Sequence, residues 1–185
     1  VKSHIRRKFE EWKAYAEAAR SSGNELLKML ADGPEISGPL GVIDFGLVRF
    51  TSINEAALSQ FSEWNSEYDF PWHDAPEVIQ KDPRHLDLAL WYDDLLCGLC
   101  FATPSGKRTK VRIMLLEGMP RLPYGPHPLK QRVIGLCVLA VSQYCKIIGA
   151  TLIEVDKPLQ NAILAYQQND FDFENGALVL HVATE

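Results

Sequence analysis

The stretch KQRVIGLC, Lys130 to Cys137, opens an apolar run that continues to Ile148, and its residue types suit phosphate chemistry. A glycine inside a helix costs about 1 kcal/mol relative to alanine, so Gly135 needs either a packing reason or a ligand that approaches the backbone. The free amides and partial positive charge of a helix start make a ready anion site, and Gly135 is where a side chain would block it. Lys130 and Arg132, with Arg121 and His127 in the preceding loop, would add positive charge. The competing reading is that Gly135 only lets the helix lie close to a sheet.

Two further groupings invite chemistry. Cys97 and Cys100 have the spacing of a redox pair or half a zinc site, but no second CxxC or nearby CxxH completes a ligand set. With Cys137 and Cys145 on an apolar helix face, all four cysteines read as core residues, and no metal is expected. Residues 52–94 hold ten acidic side chains against two basic ones in a chain of net charge -5. Such a segment repels phosphate and argues against a general nucleic-acid binder. Within it, SEYDFPWHDAP and the preceding Trp64 combine aromatic rings with carboxylates, a composition suited to a cationic amine. Exposed acids beside core aromatics would give the same string.

The elements that must position these groups follow from periodicity. Residues 1–40 read as a helical extension and linker: Ile5, Phe9, Trp12, Tyr15, Ala16 and Ala19 recur at helical spacing, SSGNE interrupts, a second short helix carries Leu26, Leu27 and Leu30, and DGPEISGPLG links. The extension either packs back on the domain, the favoured reading, or docks another subunit, as in a homodimer. Residues 41–185 read as one α/β domain. VIDFGLVRFT is a strand, INEAALSQFSEWNSEY a helix, and APEVIQKD one more helical turn. HLDLALWYDD, LLCGLCFATPSG and RTKVRIMLLEGM are three strands, the last two joined by the hairpin turn TPSGKR. A long helix from Leu129 to Ile148, the strand TLIEV, the helix PLQNAILAYQQND and the strand ALVLHVAT complete the order. No apolar run approaches a membrane span, and the charged first residues do not read as a secretory leader, so a cytoplasmic protein is expected.

With RVIGLC opening the long helix and NAILAYQQNDF downstream in this strand order, the chain resembles the GNAT superfamily of acetyl-coenzyme-A-dependent N-acetyltransferases. Arg132 and Gly135 match the Arg/Gln-x-x-Gly-x-Gly/Ala signature, and Asn161, Ala162, Tyr166 and Phe171 match the later motif. Val133, Cys137 and Asp170 depart from the usual small residues or glycines. The resemblance implies a mixed, mostly antiparallel sheet flanked by helices, with acetyl-coenzyme A as acyl donor. It places the pyrophosphate on Lys130, Gln131, Arg132, Val133, Gly135, Leu136 and Cys137. The pantetheine arm would lie along Leu115, Leu116 and Glu117 where two strands splay, with Asn161 orienting it.

In the same family, the tyrosine matched by Tyr166 protonates the departing thiolate, a role a phenol can fill. Glu117 is then the first candidate for the base, with His73, Asp74 and Glu67 as alternatives and a water as another. Trp64, Glu67, Tyr68, Trp72, His73 and Asp74 form the expected acceptor side. The function implied is acetyl transfer to a primary amine, on a small molecule or a protein, by direct attack in a ternary complex. Two other readings stay open: a non-catalytic acetyl-coenzyme-A-binding regulatory module, and an acetyltransferase toxin acting on aminoacyl-tRNA, for which the basic residues Arg6, Arg7 and Lys8 would offset the acidic segment.

Overall fold

The computed structural model describes residues 2–120 and 125–183. A single helix, α1 (Lys2–Ala31), runs through the SSGNE segment without a break. The expected interruption is instead a point of close approach: a Cβ on Gly23 would stand 3.1 Å from the ring of Phe50 and 3.2 Å from Ala140. One residue on, the Asn24 side chain accepts from the Phe50 amide at 2.7 Å and donates to its carbonyl at 3.1 Å. This amide acts as a one-residue strand on the sheet edge, and the helix survives because tertiary contact outweighs local propensity. Trp12, Ala16, Ala19 and Leu27 are buried in the main core, so α1 packs back on the sheet face it shares with the later helix α4 (Val133–Ile148).

The linker is not structureless. It folds into a small hairpin of β1 (Ser37–Gly38) and β2 (Gly41–Val42). Gly38 is required there, because a Cβ would lie 2.6 Å from the carbonyl oxygen of Pro128. β3 (Val48–Thr51), α2 (Glu55–Phe61) and α3 (Ala75–Lys81) follow, α2 ending three residues short of Trp64.

Among the described residues, the main sheet has seven strands in the order β3, β4 (Leu86–Tyr92), β5 (Leu95–Pro104), β6 (Lys110–Gly118), β7 (Leu152–Val155), β9 (Ala177–His181) and β8 (Asp172–Glu174). β8 is an exposed edge strand with no apolar alternation to announce it. Every pairing is antiparallel except β6 with β7. Antiparallel neighbours need only short turns, and the expected hairpin at TPSGKR is present, with Arg108 in a left-handed conformation. The parallel pair requires a crossover, which α4 supplies.

Two apolar layers cover the sheet. α1 and α4 lie over Leu88, Leu90, Cys100, Ala102 and Ile113. On the other face, α2 and the segment around Trp72 cover Ala89, Trp91, Leu96 and Leu99. All four cysteines are buried and free. Cys100 and Cys137 hydrogen-bond to each other, which with burial holds the Cys100 thiol well above its usual range, and burial pushes Cys97 and Cys145 up to about 12. Cys97, Cys100 and Cys145 are thus thiols and not thiolates at neutral pH, in keeping with core packing.

Candidate active site

The site begins where β6 and β7 part. They pair in parallel from Lys110 with Leu152 to Ile113 with Val155, and the last link is the Asp156 amide to the Ile113 carbonyl at 3.0 Å. Met114 is then an extra residue in β6, since Phe101 faces Leu115 while Ala102 faces Ile113. This bulge turns the strand away from β7 but leaves it paired with β5 as far as Gly118. From Met114 onward, one edge of β6 has no strand partner among the described residues, and main-chain groups on such an edge require another partner.

Two cavities flank this free edge. The first, about 890 Å³, is lined by Glu117, Gly118, His127, Lys130 to Ile134 and Asn169, with Ser37, Gly38 and Pro39 of the hairpin at its rim. The second, about 720 Å³, is lined by Phe70, Trp72, Phe101, Ile113, Leu115 and Val155 among others. Leu116, Leu159, Ala162 and Tyr166 line both.

The start of α4 faces the first cavity. Its first intrahelical bond runs from the Leu136 amide to the Arg132 carbonyl at 2.9 Å, so the amides of Val133, Ile134 and Gly135 precede the bonded ladder, and no side chain among the described residues caps them. Lys130 to Arg132 form the turn before the helix, with Gln131 left-handed at φ 70°, rather than its first turn. Arg132 is partly committed, donating from Nη2 to the Ser37 carbonyl at 3.1 Å. His127 is buried, accepts from the Leu129 amide at 3.2 Å, and is pushed down to about 4 by burial and then by Lys130, so its ring is neutral. Arg121 lies outside the described residues.

Gly135 has a specific neighbour. A Cβ there would meet Asn169 Oδ1 at 2.5 Å, so its bareness admits the Asn169 side chain, which lines the cavity. Val133, bulky where glycine is usual in the resemblance, points to the sheet: its Cγ1 would lie 2.6 Å from a Cβ on Gly98, and its Cγ2 3.4 Å from one on Gly118. The missing helix glycine is thus balanced by glycines on β5 and β6. Leu136 and Cys137 turn into the core instead of the cavity, and Ile134 takes their place in its wall.

Tyr166, on the short helix α5 (Ile163–Gln167), is buried, packs edge-on against Phe171 at 5.3 Å, and stands where the two cavities meet. Burial holds its phenol well above the usual tyrosine value, so it is protonated throughout the working pH range. Glu117 is also buried, and burial raises its carboxyl even though Ser66 donates to Oε1 and the Trp72 indole N–H donates to Oε2 at 2.7 Å. Asn161 is exposed, lines neither cavity, and donates to the Tyr68 hydroxyl at 3.3 Å.

The residues expected on the acceptor side divide. Trp72 and Asp74 line the apolar cavity, while Glu67 and Tyr68 line the first cavity, Tyr68 stacked on Phe70 at 5.2 Å. Trp64 is buried against Phe61 in the second apolar layer. His73 packs on the same ring and pairs with Ser62 at 3.3 Å, away from both cavities. These two belong to the support of the loop. Ser66, Asn169 and the β1–β2 hairpin carried no signal in the sequence beyond Gly38, because each reaches the cavity through a contact with a distant segment.

Among the described residues no helix is long and apolar enough to cross a membrane. No protein-family model matches the sequence, and no curated protein is similar enough to count as a match. Solved structures are similar in fold. A GNAT-family acetyltransferase assigned in Desulfovibrio desulfuricans is 14% identical, with 74% of this chain and 99% of that one covered and a TM-score of 0.53. The ribosomal-protein-S18-alanine N-acetyltransferase of Escherichia coli is 12% identical over 75% and 96% of the two chains, with a TM-score of 0.51. The Campylobacter jejuni N-acetyltransferase PseH, in complex with acetyl coenzyme A, is 13% identical over 75% and 100%, with a TM-score of 0.50. A mostly antiparallel sheet that opens after one parallel pair, with an uncapped helix start facing the opening, is therefore the GNAT fold.

Proposed function

We propose that this protein transfers an acetyl group from acetyl-coenzyme A to a primary amine. The observation that carries the reading is the convergence, in one cavity, of the uncapped start of α4 and the unpaired edge of β6, ending at Tyr166. The amides of Val133 to Gly135, with Lys130 and Arg132, would hold the pyrophosphate, since phosphate gains both hydrogen bonds and the helix field there. The free main-chain edge at Leu115 to Glu117 would bind the amide-bearing arm as an added strand would. Gln131 and the hairpin around Gly38 would border the nucleotide end, and Asn161 would act through Tyr68 rather than by direct contact.

The chemistry follows from the groups at the junction. The acceptor nitrogen, once neutral, attacks the thioester carbon, and a β6 main-chain amide stabilises the oxyanion. Collapse breaks the carbon–sulfur bond, and Tyr166 gives its proton to the departing thiolate. Glu117, or a water it orients, takes the proton from the acceptor nitrogen. A buried carboxyl of raised pKa suits that role better than a solvated one, because its proton affinity is closer to that of the amine.

The test is a calorimetric titration with acetyl-coenzyme A, coenzyme A and an adenine nucleotide, beside Gly135→Glu. A side chain at 135 displaces Asn169 into the cavity and sets a carboxylate against the phosphates, so binding should fall by about a hundredfold or more. Saturable binding that the substitution abolishes, with thiol release in an amine screen, supports transfer. Binding without transfer to any amine supports a non-catalytic module, and no binding removes the enzyme reading.

A further inference from the structure

The second cavity has a different chemistry from the first, and nothing in the transfer reaction as such determines what enters it. Its volume, about 720 Å³, is within the roughly 300–1,000 Å³ of small-molecule sites. Its walls are the rings of Phe70, Trp72 and Phe101 with the aliphatic chains of Ile113, Leu115 and Val155. The His85 ring lies 5.0 Å from that of Phe101 and is tied to the Thr103 hydroxyl at 2.9 Å. Burial lowers the His85 pKa, so this imidazole adds a flat, neutral surface. The charged groups of the lining are Asp74, Asp156 and Lys157, which leaves one net negative charge.

We infer that the acceptor is a primary amine bearing a single positive charge on a flat apolar body, held in this cavity with its ammonium toward Asp74 and Asp156. The inference rests on the transfer reading for its reaction and on the cavity for its specificity. An apolar wall rewards burial of the body in proportion to area, whereas it leaves further polar groups without partners. Lys157 repels a second cation. A polyamine or a many-hydroxyl amine therefore fits poorly, and a neutral analogue of the same shape loses the charge contact. Opening at Tyr166 and Leu116 onto the first cavity brings the amine to the place where the thioester would end.

The probes are phenethylamine, phenethyl alcohol and spermidine, titrated calorimetrically into the whole chain at neutral pH, first alone and then with coenzyme A. Phenethylamine should bind saturably and at least about tenfold more tightly than either of the others. Val78→Trp, at a half-open position of the wall on α3, should weaken it by about tenfold through lost volume, and Asp156→Asn by about threefold through lost charge, while acetyl-coenzyme A binding is unchanged in both. Equal or tighter binding of spermidine, or indifference to both substitutions, would overturn the inference. Tighter binding of decanoyl- than acetyl-coenzyme A that Val78→Trp removes would also overturn it, assigning the cavity to an acyl chain. Absence of acetyl-coenzyme A binding would sink the transfer reading by itself, because phenethylamine binding reports on the cavity separately.

Discussion

One cavity is walled by main-chain amides, Lys130, Arg132 and the buried carboxyl of Glu117; the other is walled by Phe70, Trp72, Phe101 and Ile113. One strand serves both. The bulge at Met114 ends pairing with β7; Leu115 then lines the apolar cavity, and Glu117, two residues on and on the same face of the strand, lines the polar one. A sheet that stayed closed would bury both sets of side chains. Opening it by one bulge creates two chambers of opposite character that touch at Leu116 and Tyr166.

The contrast can be broken at the junction first. Tyr166→Phe removes the proposed proton donor and keeps the ring that packs on Phe171, so turnover should fall by about a hundredfold or more with acetyl-coenzyme A binding unchanged. Full turnover with an identified amine would assign Tyr166 to packing alone. Because burial raises its pKa, ionisation of Tyr166 should add no alkaline limb to the rate profile.

A smaller effect concerns the acid side. Burial raises Glu117 above the ordinary 4.5, and a base works only when deprotonated, so kcat/KM should rise with pH through an apparent pKa above that value. Glu117→Gln should lower the rate and flatten this limb. The linked stability has a definite sign: a carboxyl with a raised folded pKa contributes most below its unfolded value and loses that contribution as pH rises through the folded one. Glu117→Gln should therefore reduce the loss of stability between acidic and neutral pH, as read from melting curves.

The smallest effect is on the floor of the polar cavity. Gly98→Ala puts a Cβ 2.6 Å from Val133 Cγ1, an overpacking of about 1–3 kcal/mol by denaturant titration. Val133→Ala in the same chain should restore most of it. Additive losses in the pair would show that the two residues do not share the space.

Residues with strong local signals were legible. Gly135 at an apolar helix, Tyr166 on a short amphipathic one, and the hairpin turn at TPSGKR each depend on neighbours within a few positions. The cysteine pair read correctly as core because a buried strand alternates in a way a metal loop does not. Illegible were the contacts that bridge long separations. SSGN looks like a helix stop, yet Phe50 and Ala140 press on Gly23, and Asn24 binds the main chain of Phe50. Trp64 and His73 have the composition of a binding loop but pack on the Phe61 ring. Val133 looks like a flaw in a phosphate loop until Gly98 and Gly118 are found beneath it.

The sequence by itself determined the order of the main helices and strands, though not β1, β2 or β8, the approximate start of the long apolar helix, and the acidic character of residues 52–94, since periodicity, propensity and charge are local or additive properties. Tertiary structure alone decided which carboxyl is buried against Trp72 and Ser66, which aromatic rings line a cavity and which support a loop, and that Val133 and Gly98 share one volume. Those outcomes depend on where distant segments meet, and close packing allows each volume only one occupant.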